Sequence, residues 1–132
     1  MTKNYIGTKE ILAWGQEKDG KPGYAVKYPD GYISWSPKDV FDAAYRASEG
    51  DDQALNFGDA IHFLKKGEKL ARAGWNGKGM WLEMQRPDEN SKMTLPYVYL
   101  NYPCDSIHTP GARVPWLASQ TDMLAEDWLI VE

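Results

Sequence analysis

Hydrophobic and polar positions in the first third of the chain follow the pattern of a strand, a β-hairpin and a short helix. The apolar run Ile11–Trp14 predicts a strand, and residues 24–28 and 32–35 predict the two arms of a hairpin. Between the arms stands Pro29-Asp30-Gly31, in which proline presets the turn dihedral and glycine accepts a positive φ. Ser36 is then the expected cap of a helix. The apolar stripe of that helix consists of Val40, Phe41, Ala44 and Tyr45.

The pattern changes to a second helix after the polar joint at residues 48–55. Asn56 is a good N-terminal cap, and Gly67 is a natural stop. Between them, apolar residues recur at i, i+4 and i+7, which is the spacing of one helix face. The apolar face consists of Phe57, Ile61 and Leu64, and the polar face carries Asp59, His62 and Lys66.

Strand-like alternation dominates the remaining sequence. The predicted strands are 71–75, 80–85, 97–102, 114–117 and 128–131, and Ser119–Asp122 predicts a turn or a helix cap. The fold class is therefore α+β, with a small antiparallel sheet packed by a short helix and preceded by a hairpin-plus-helix N-terminal extension. We expect two parts, the extension at residues 1–50 and an α+β domain at residues 56–132.

Composition narrows the classes of function. The chain has 132 residues, a formal net charge of -4, one cysteine, and 13% aromatic residues, including six tryptophans. No apolar run approaches the roughly 18 residues of a membrane span, and no secretory signal follows Met1, so we expect a cytoplasmic protein without a membrane partner. A single cysteine forms neither a disulfide nor a cysteine-based zinc site within the chain. Because no basic arm or stripe is present, duplex nucleic acid is not an expected partner.

The residues needed for catalysis are scarce. Cys104 and His108 form the one nearby thiol–imidazole pair, and they lie in a loop without a helix N-terminus to lower the thiol pKa. His62 lies on the polar face of its helix, where a solvated histidine is the usual interpretation. There is no phosphate-binding loop and no dinucleotide fingerprint. We therefore expect no enzyme, no metal and no cofactor.

Binding is better supported, because two segments concentrate aromatic and small polar groups. They are Ala73–Met80 and Val114–Asp122. A tryptophan beside asparagine and glycine offers a flat face for a base, an amide for hydrogen bonding, and backbone N–H groups for an anion. The competing interpretation is that the tryptophans are core anchors and the glycines only form turns.

Three segments resemble a known family of small phage proteins, the second type of Thoeris anti-defence protein. They are Asn56–Ala60, Ala71–Met80 and Val114–Trp128, so the resemblance covers about residues 56–132. The resemblance implies a non-enzymatic sponge that binds a cyclic ADP-ribose-type signal, or a related cyclic nucleotide, in the host bacterial cytoplasm. It also implies a homo-oligomer, a dimer or a tetramer, with pockets where protomers meet.

The resemblance also implies which residues contact the ligand. They are Trp75, Asn76, Gly77, Lys78, Trp116, Ser119, Gln120, Thr121 and Asp122. Trp75 or Trp116 would stack on adenine, and Asp122 would either accept from ribose hydroxyls or cap a short helix. Arg72 is the least favoured phosphate contact, since it alternates away from Trp75. The other tryptophans, Trp14, Trp35, Trp81 and Trp128, are expected to serve packing.

Two other functions remain open at this point. One is a protein-interaction module that inhibits a host or phage factor through its aromatic surface. The other is a hydrolase of the signal that uses Asp122 or Glu83.

Overall fold

The computed structural model describes residues 1–76, 78–107 and 109–132, and the chain divides into two compact units. The first unit is Met1–Tyr45, and the second is Arg46–Glu132. Each unit has its own antiparallel sheet and helix, which confirms the predicted α+β class.

The N-terminal unit contains the predicted hairpin. Its elements are β1 (Leu12–Gly15), β2 (Gly23–Lys27), β3 (Ile33–Pro37) and α1 (Lys38–Ala44), with β2 between β1 and β3. The β2–β3 turn is closed by the Tyr28 amide, which donates to the Tyr32 carbonyl at 2.9 Å, and Gly31 adopts φ +91°. This positive φ explains the glycine at the turn.

The expected start of α1 at Ser36 is wrong. Ser36 pairs with Tyr24 in the sheet, so the strand continues to Pro37, which takes the N-cap position without a side-chain cap. The predicted apolar stripe is also only partly right. Phe41 stacks on Tyr24 with ring centroids 4.0 Å apart, whereas Val40 is 57% exposed because the seven-residue helix contacts its sheet mainly through Phe41.

The second unit is a five-stranded antiparallel sheet with one longer helix. Its elements are α2 (Phe57–Lys65), β4 (Lys69–Arg72), β5 (Trp81–Gln85), β6 (Tyr97–Asn101), β7 (Arg113–Pro115), α3 (Gln120–Leu124) and β8 (Trp128–Val131). The strand order is β7-β6-β5-β4-β8, so the last strand lies beside β4. This pairing brings the end of β4, which leads into the segment Ala73–Met80, next to the start of β8.

The helix α2 begins and packs as its sequence indicates. The Asn56 side chain accepts from the Asp59 amide at 2.8 Å, and Asp59 accepts from the Asn56 amide at 3.0 Å, which completes a capping box. The buried core of the unit consists of Leu55, Ala60, Phe63, Leu64, Leu70, Leu82 and Trp128. Phe57 and Ile61 pack against it, while Phe63 joins the core although the predicted apolar face omitted it.

The strand predicted at residues 71–75 is misplaced. β4 begins at Lys69 and ends at Arg72, and Ala73–Trp75 form a turn. Two bonds close this turn: the Asp127 carboxylate accepts from the Gly74 amide at 2.8 Å, and the Arg72 carbonyl accepts from the Trp75 amide at 3.3 Å. The Asp127 carbonyl accepts from the Ala73 amide at 3.1 Å, which is the last bond in the β4–β8 register before the chain turns.

Candidate functional site

Asp122 lies at the centre of a hydrogen-bond network that begins with a helix cap. The Ser119 hydroxyl accepts from the Asp122 amide at 3.0 Å, and Asp122 Oδ2 accepts from the Ser119 amide at 3.3 Å. This capping box starts α3 and turns the carboxylate inward, so Asp122 is only 9% exposed. The capping role that the sequence analysis left open for Asp122 is therefore present in the structure.

The same carboxylate binds the segment that follows β4. Asp122 Oδ1 accepts from Arg72 Nη1 at 2.9 Å and from the Trp75 indole Nε1 at 3.1 Å. Arg72 also donates from Nε to Asp127 Oδ1 at 2.8 Å. The predicted alternation that turned Arg72 away from Trp75 does not apply, because the strand ends at Arg72.

The charges in this network hold each other in the ionised form. For Asp122, burial raises the pKa, but hydrogen bonds from Trp75, Arg72 and Ser119 outweigh burial, so the pKa lies below its usual range. The hydrogen bond from Arg72 likewise lowers the pKa of Asp127. Hydrogen bonds to Asp127 and Asp122 raise the pKa of Arg72. All three groups are therefore charged near neutral pH.

Trp128 is the packing centre beneath the site. It is fully buried, and its Nε1 donates to the Asp122 carbonyl at 3.0 Å. Trp75 meets its ring edge-on with centroids 5.6 Å apart, Trp116 does so at 6.0 Å, and Phe57 lies at 5.8 Å. Both tryptophans predicted to contact ligand are thus half-buried and rest on one core residue.

The nine predicted site residues differ in exposure. Asn76, Lys78, Ser119, Gln120 and Thr121 are exposed; Trp75 and Trp116 are half-buried; Asp122 is buried. Gly77 lies outside the described residues.

A cavity of about 310 Å³ lies beside Trp75. Its lining includes Lys69, Arg72, Trp75, Lys78, Met80 and Trp81. Lys69 Nζ lies 5.3 Å from the centroid of the Trp81 ring, and the buried Trp81 Nε1 has no hydrogen-bond partner among the described residues. An unpaired buried indole N–H is uncommon and costs free energy until an acceptor reaches it.

Two residues that line this cavity were not predicted as ligand contacts: Lys69 was not selected, and Trp81 was expected only to serve packing. The sequence signal for Trp81 was the alternation in β5, which places Trp81 on the opposite face of the sheet from the buried Leu82. The position of Lys69 depended on where β4 began, and the sequence put that start two residues too late.

Trp116 lines a different cavity, of about 560 Å³. The lining of this second cavity includes Met93, Leu95, Tyr97, Tyr99, Arg113 and Trp116. Trp75 and Trp116 therefore share the support of Trp128 but face separate cavities of the second unit.

The carboxylate of Glu83 is held by its neighbours on the sheet. Its Oε2 accepts from the Tyr99 hydroxyl at 2.8 Å and from Asn101 Nδ2 at 3.1 Å. Burial, followed by the bond to Glu83, raises the pKa of Tyr99. Glu83 is thus tied into a structural network.

The other candidates for chemistry form no site in the described part of the chain. Cys104 is an exposed free thiol, and its sequence neighbour His108 lies outside the described residues. His62 is half-buried and meets the Phe63 ring edge-on, in contrast to the solvated position that we expected. No group of three metal-ligating side chains occurs among the described residues.

Comparison with known proteins identifies the second unit. A family described as "Thoeris anti-defense 2-like domain" matches residues 55–131. A protein of Bacillus phage SP01, named "Thoeris anti-defense 2", is 39% identical over 84 residues, which cover 58% of this chain and 94% of that protein. Among the described residues, no helix is long and apolar enough to cross a membrane. The family match covers more than half of the chain and contains the Trp75 cavity, the Asp122 network and Trp116, so this chain belongs to the Thoeris anti-defense 2-like family.

Proposed function

We propose that this protein is a phage anti-defence protein that binds and sequesters a cyclic ADP-ribose-type immune signal, or a related cyclic nucleotide, without degrading it. Family membership and the name of the Bacillus phage SP01 relative support the anti-defence role. The resemblance described above supports the kind of ligand. The site of action is then the cytoplasm of the host bacterium.

The observation that carries the proposal is the composition of the cavity beside Trp75. It combines two indole rings, Trp75 and Trp81, with the ammonium groups of Lys69 and Lys78, and it also has one acidic residue, Glu132, in its lining. An indole face stacks on a nucleobase for roughly 1–3 kcal/mol, and lysine ammonium groups balance phosphate charge. Trp81 Nε1 is buried beside this cavity without a hydrogen-bond partner among the described residues, so a ligand oxygen that reached it would remove the cost of an unpaired donor.

The predicted contacts divide into two groups around Trp128. Trp75 and Lys78 line the first cavity, and Trp75 stacks on the base there; Asn76 and Gly77 stand between them in the sequence. Trp116, Ser119, Gln120 and Thr121 form the second group, at β7 and the start of α3. We assign Asp122 to holding Trp75, because Trp75, Arg72 and the Ser119 amide already donate to its carboxylate.

The environments of the Asp122 and Glu83 carboxylates favour binding of the signal without its hydrolysis. A general acid or base at neutral pH needs a pKa near 7, whereas Asp122 has a pKa below its usual range. The Glu83 carboxylate already accepts hydrogen bonds from the side chains of Tyr99 and Asn101. We therefore favour sequestration over hydrolysis.

Tight sequestration favours a homo-oligomer. A stoichiometric trap needs a dissociation constant near nanomolar, which corresponds to a binding free energy of about -12 kcal/mol. A ligand enclosed between two protomers has more of its surface buried than a ligand bound in one open cavity. Two large apolar side chains flank the Ser119–Asp122 segment, and both are strongly exposed: Leu117 is 91% exposed and Leu124 is 78% exposed. We propose that these side chains are covered in a dimer or tetramer.

Isothermal titration calorimetry with cyclic ADP-ribose, its linkage isomers and cyclic dinucleotides tests the proposal. We expect submicromolar binding to at least one of them, and a loss of about fivefold to 150-fold in Trp75→Ala, because a lost stacking contact is worth about 1–3 kcal/mol. Trp14→Ala is the matched control, since Trp14 is a partly exposed tryptophan of the N-terminal unit. Ligand recovered unchanged after denaturation separates binding from hydrolysis. Binding weaker than micromolar for every ligand would refute sequestration.

The second cavity favours one alternative, a protein-interaction module that inhibits a host or phage factor. Its lining is largely apolar and aromatic, with Met93 and Leu95 exposed. This alternative predicts a stoichiometric protein partner in a pull-down from host lysate, and Trp116→Ala would release that partner while Trp75→Ala would retain it.

A further inference from the structure

We infer that Arg72, anchored by Asp127, positions Trp75 for ligand binding without itself contacting the ligand. The inference rests on the proposed function, since it assigns a role to residues around the same cavity. It makes Arg72 and Asp127 positioning residues, and it gives Arg72 a role other than the phosphate contact considered from the sequence.

The guanidinium of Arg72 joins the two carboxylates through different nitrogens. Nε and Nη2 donate to Asp127 at 2.8 and 3.4 Å, while Nη1 donates to Asp122 Oδ1 at 2.9 Å. The same Oδ1 accepts from the Trp75 indole at 3.1 Å. Because guanidinium is planar and rigid, fixing its Asp127 side also fixes the oxygen that orients Trp75.

Asp127 fixes the backbone that carries Trp75 as well. Its Oδ2 accepts from the Gly74 amide at 2.8 Å, and a Cβ built on Gly74 would lie 2.8 Å from this oxygen. A side chain at position 74 would therefore displace the carboxylate. The turn that leads into Trp75 is thus set by the same anchor as the indole ring.

Charge argues against a phosphate at Arg72. One guanidinium and two carboxylates leave this network with a net charge of -1, and the Arg72 side chain is only 14% exposed. An anionic ligand is repelled there and attracted to Lys69 and Lys78, which line the same cavity. Lys78 Nζ donates to the Ala73 carbonyl at 3.4 Å, and Lys69 lies over Trp81.

Asp127→Asn tests the inference because Asp127 is not among the residues that line either cavity. Asp59→Asn is a closely matched control. Like Asp127, Asp59 pairs with an arginine, Arg46, accepts from a backbone amide, and lines neither cavity. Each variant removes one charge from an arginine–aspartate pair in the same unit.

The first measurement is the indole N–H resonance of Trp75 in a nitrogen–proton NMR spectrum of the ligand-free protein, assigned by its disappearance in Trp75→Phe. We expect Asp127→Asn to shift this resonance and Asp59→Asn to leave it in place. If Asp127→Asn does not fold, Arg72→Lys is used in its place, because lysine keeps the positive charge but lacks the planar guanidinium that donates to both carboxylates. An unshifted Trp75 resonance would overturn the inference whether or not the protein binds a nucleotide.

The second measurement is a double-mutant cycle on the affinity for cyclic ADP-ribose, or for whichever cyclic nucleotide the wild type binds. We expect Asp127→Asn to weaken binding about tenfold, and to weaken it far less in the Trp75→Phe background, where the indole donor is already missing. Equal losses in both backgrounds would show a merely structural effect and refute positioning. If the wild type binds no cyclic nucleotide, the proposed function fails, and the NMR result alone decides on positioning.

Discussion

Trp128→Phe is the substitution that best tests how the site depends on the core. Trp128 is fully buried and contacts Phe57, Trp75 and Trp116. Its Nε1 donates to the Asp122 carbonyl at 3.0 Å. Phenylalanine keeps an aromatic ring at this position but removes the donor and part of the ring volume.

Two effects set the magnitude. The Asp122 carbonyl loses its indole donor and keeps only the longer bond from the Ala125 amide at 3.4 Å, and a lost hydrogen bond costs about 0.5–1.5 kcal/mol. The upper limit is the loss of the whole side chain, which costs about 3–5 kcal/mol for buried aromatic residues. We therefore expect the free energy of unfolding of the second unit to fall by about 2–3 kcal/mol, since both effects operate but a ring remains.

Amide hydrogen exchange by mass spectrometry measures this loss in the second unit alone. Peptides that cover residues 69–72 and 81–85 report strands β4 and β5, and their exchange should accelerate roughly a hundredfold, because each 1.4 kcal/mol is about tenfold. Trp14→Phe is the control, because Trp14 belongs to the N-terminal unit and is 44% exposed. Exchange in Trp128→Phe within about threefold of the wild type would refute this account of the core.

Two further predictions concern the charges and the caps. Because Asp122 and Asp127 have lowered pKa values in the folded chain, their contribution to stability is complete above their unfolded pKa of about 3.9 and is lost as the pH falls through the lowered values. Urea unfolding followed by circular dichroism should therefore show that the urea concentration at the midpoint decreases as the pH is lowered below about 4, and that it decreases less in Asp127→Asn. An equal decrease in both proteins would contradict the assignment. Asn56→Ala should lower the free energy of unfolding by about 0.5–2 kcal/mol, because the amide of Asp59 loses its acceptor. Asn56→Ser should retain most of the free energy of unfolding that Asn56→Ala loses. A serine variant as unstable as the alanine variant would argue against the capping role of Asn56.

Local chemistry explains which elements the sequence could predict. The β2–β3 hairpin follows from its proline–aspartate–glycine turn, and α2 follows from the Asn56 cap and the stop at Gly67, which adopts φ +94°. The errors occur where distant residues compete with local preference. Ser36 has the properties of a cap, yet its pairing with Tyr24 extends β3.

The sequence by itself determined the family-specific segments, the α+β class and the selection of Trp75 and Trp116. It could not determine that Arg72 binds Asp122 and Asp127, because these residues are separated by 50 and 55 positions and meet only when β8 pairs with β4. The same pairing places Trp128 under both predicted tryptophans, and it brings the Asp127 carboxylate to the Gly74 amide in the turn that leads to Trp75. Residue type and spacing therefore identified candidate ligand contacts, and long-range strand pairing decided which side chains hold them in place, since hydrogen bonds and ring contacts form only at distances that the folded sheet creates.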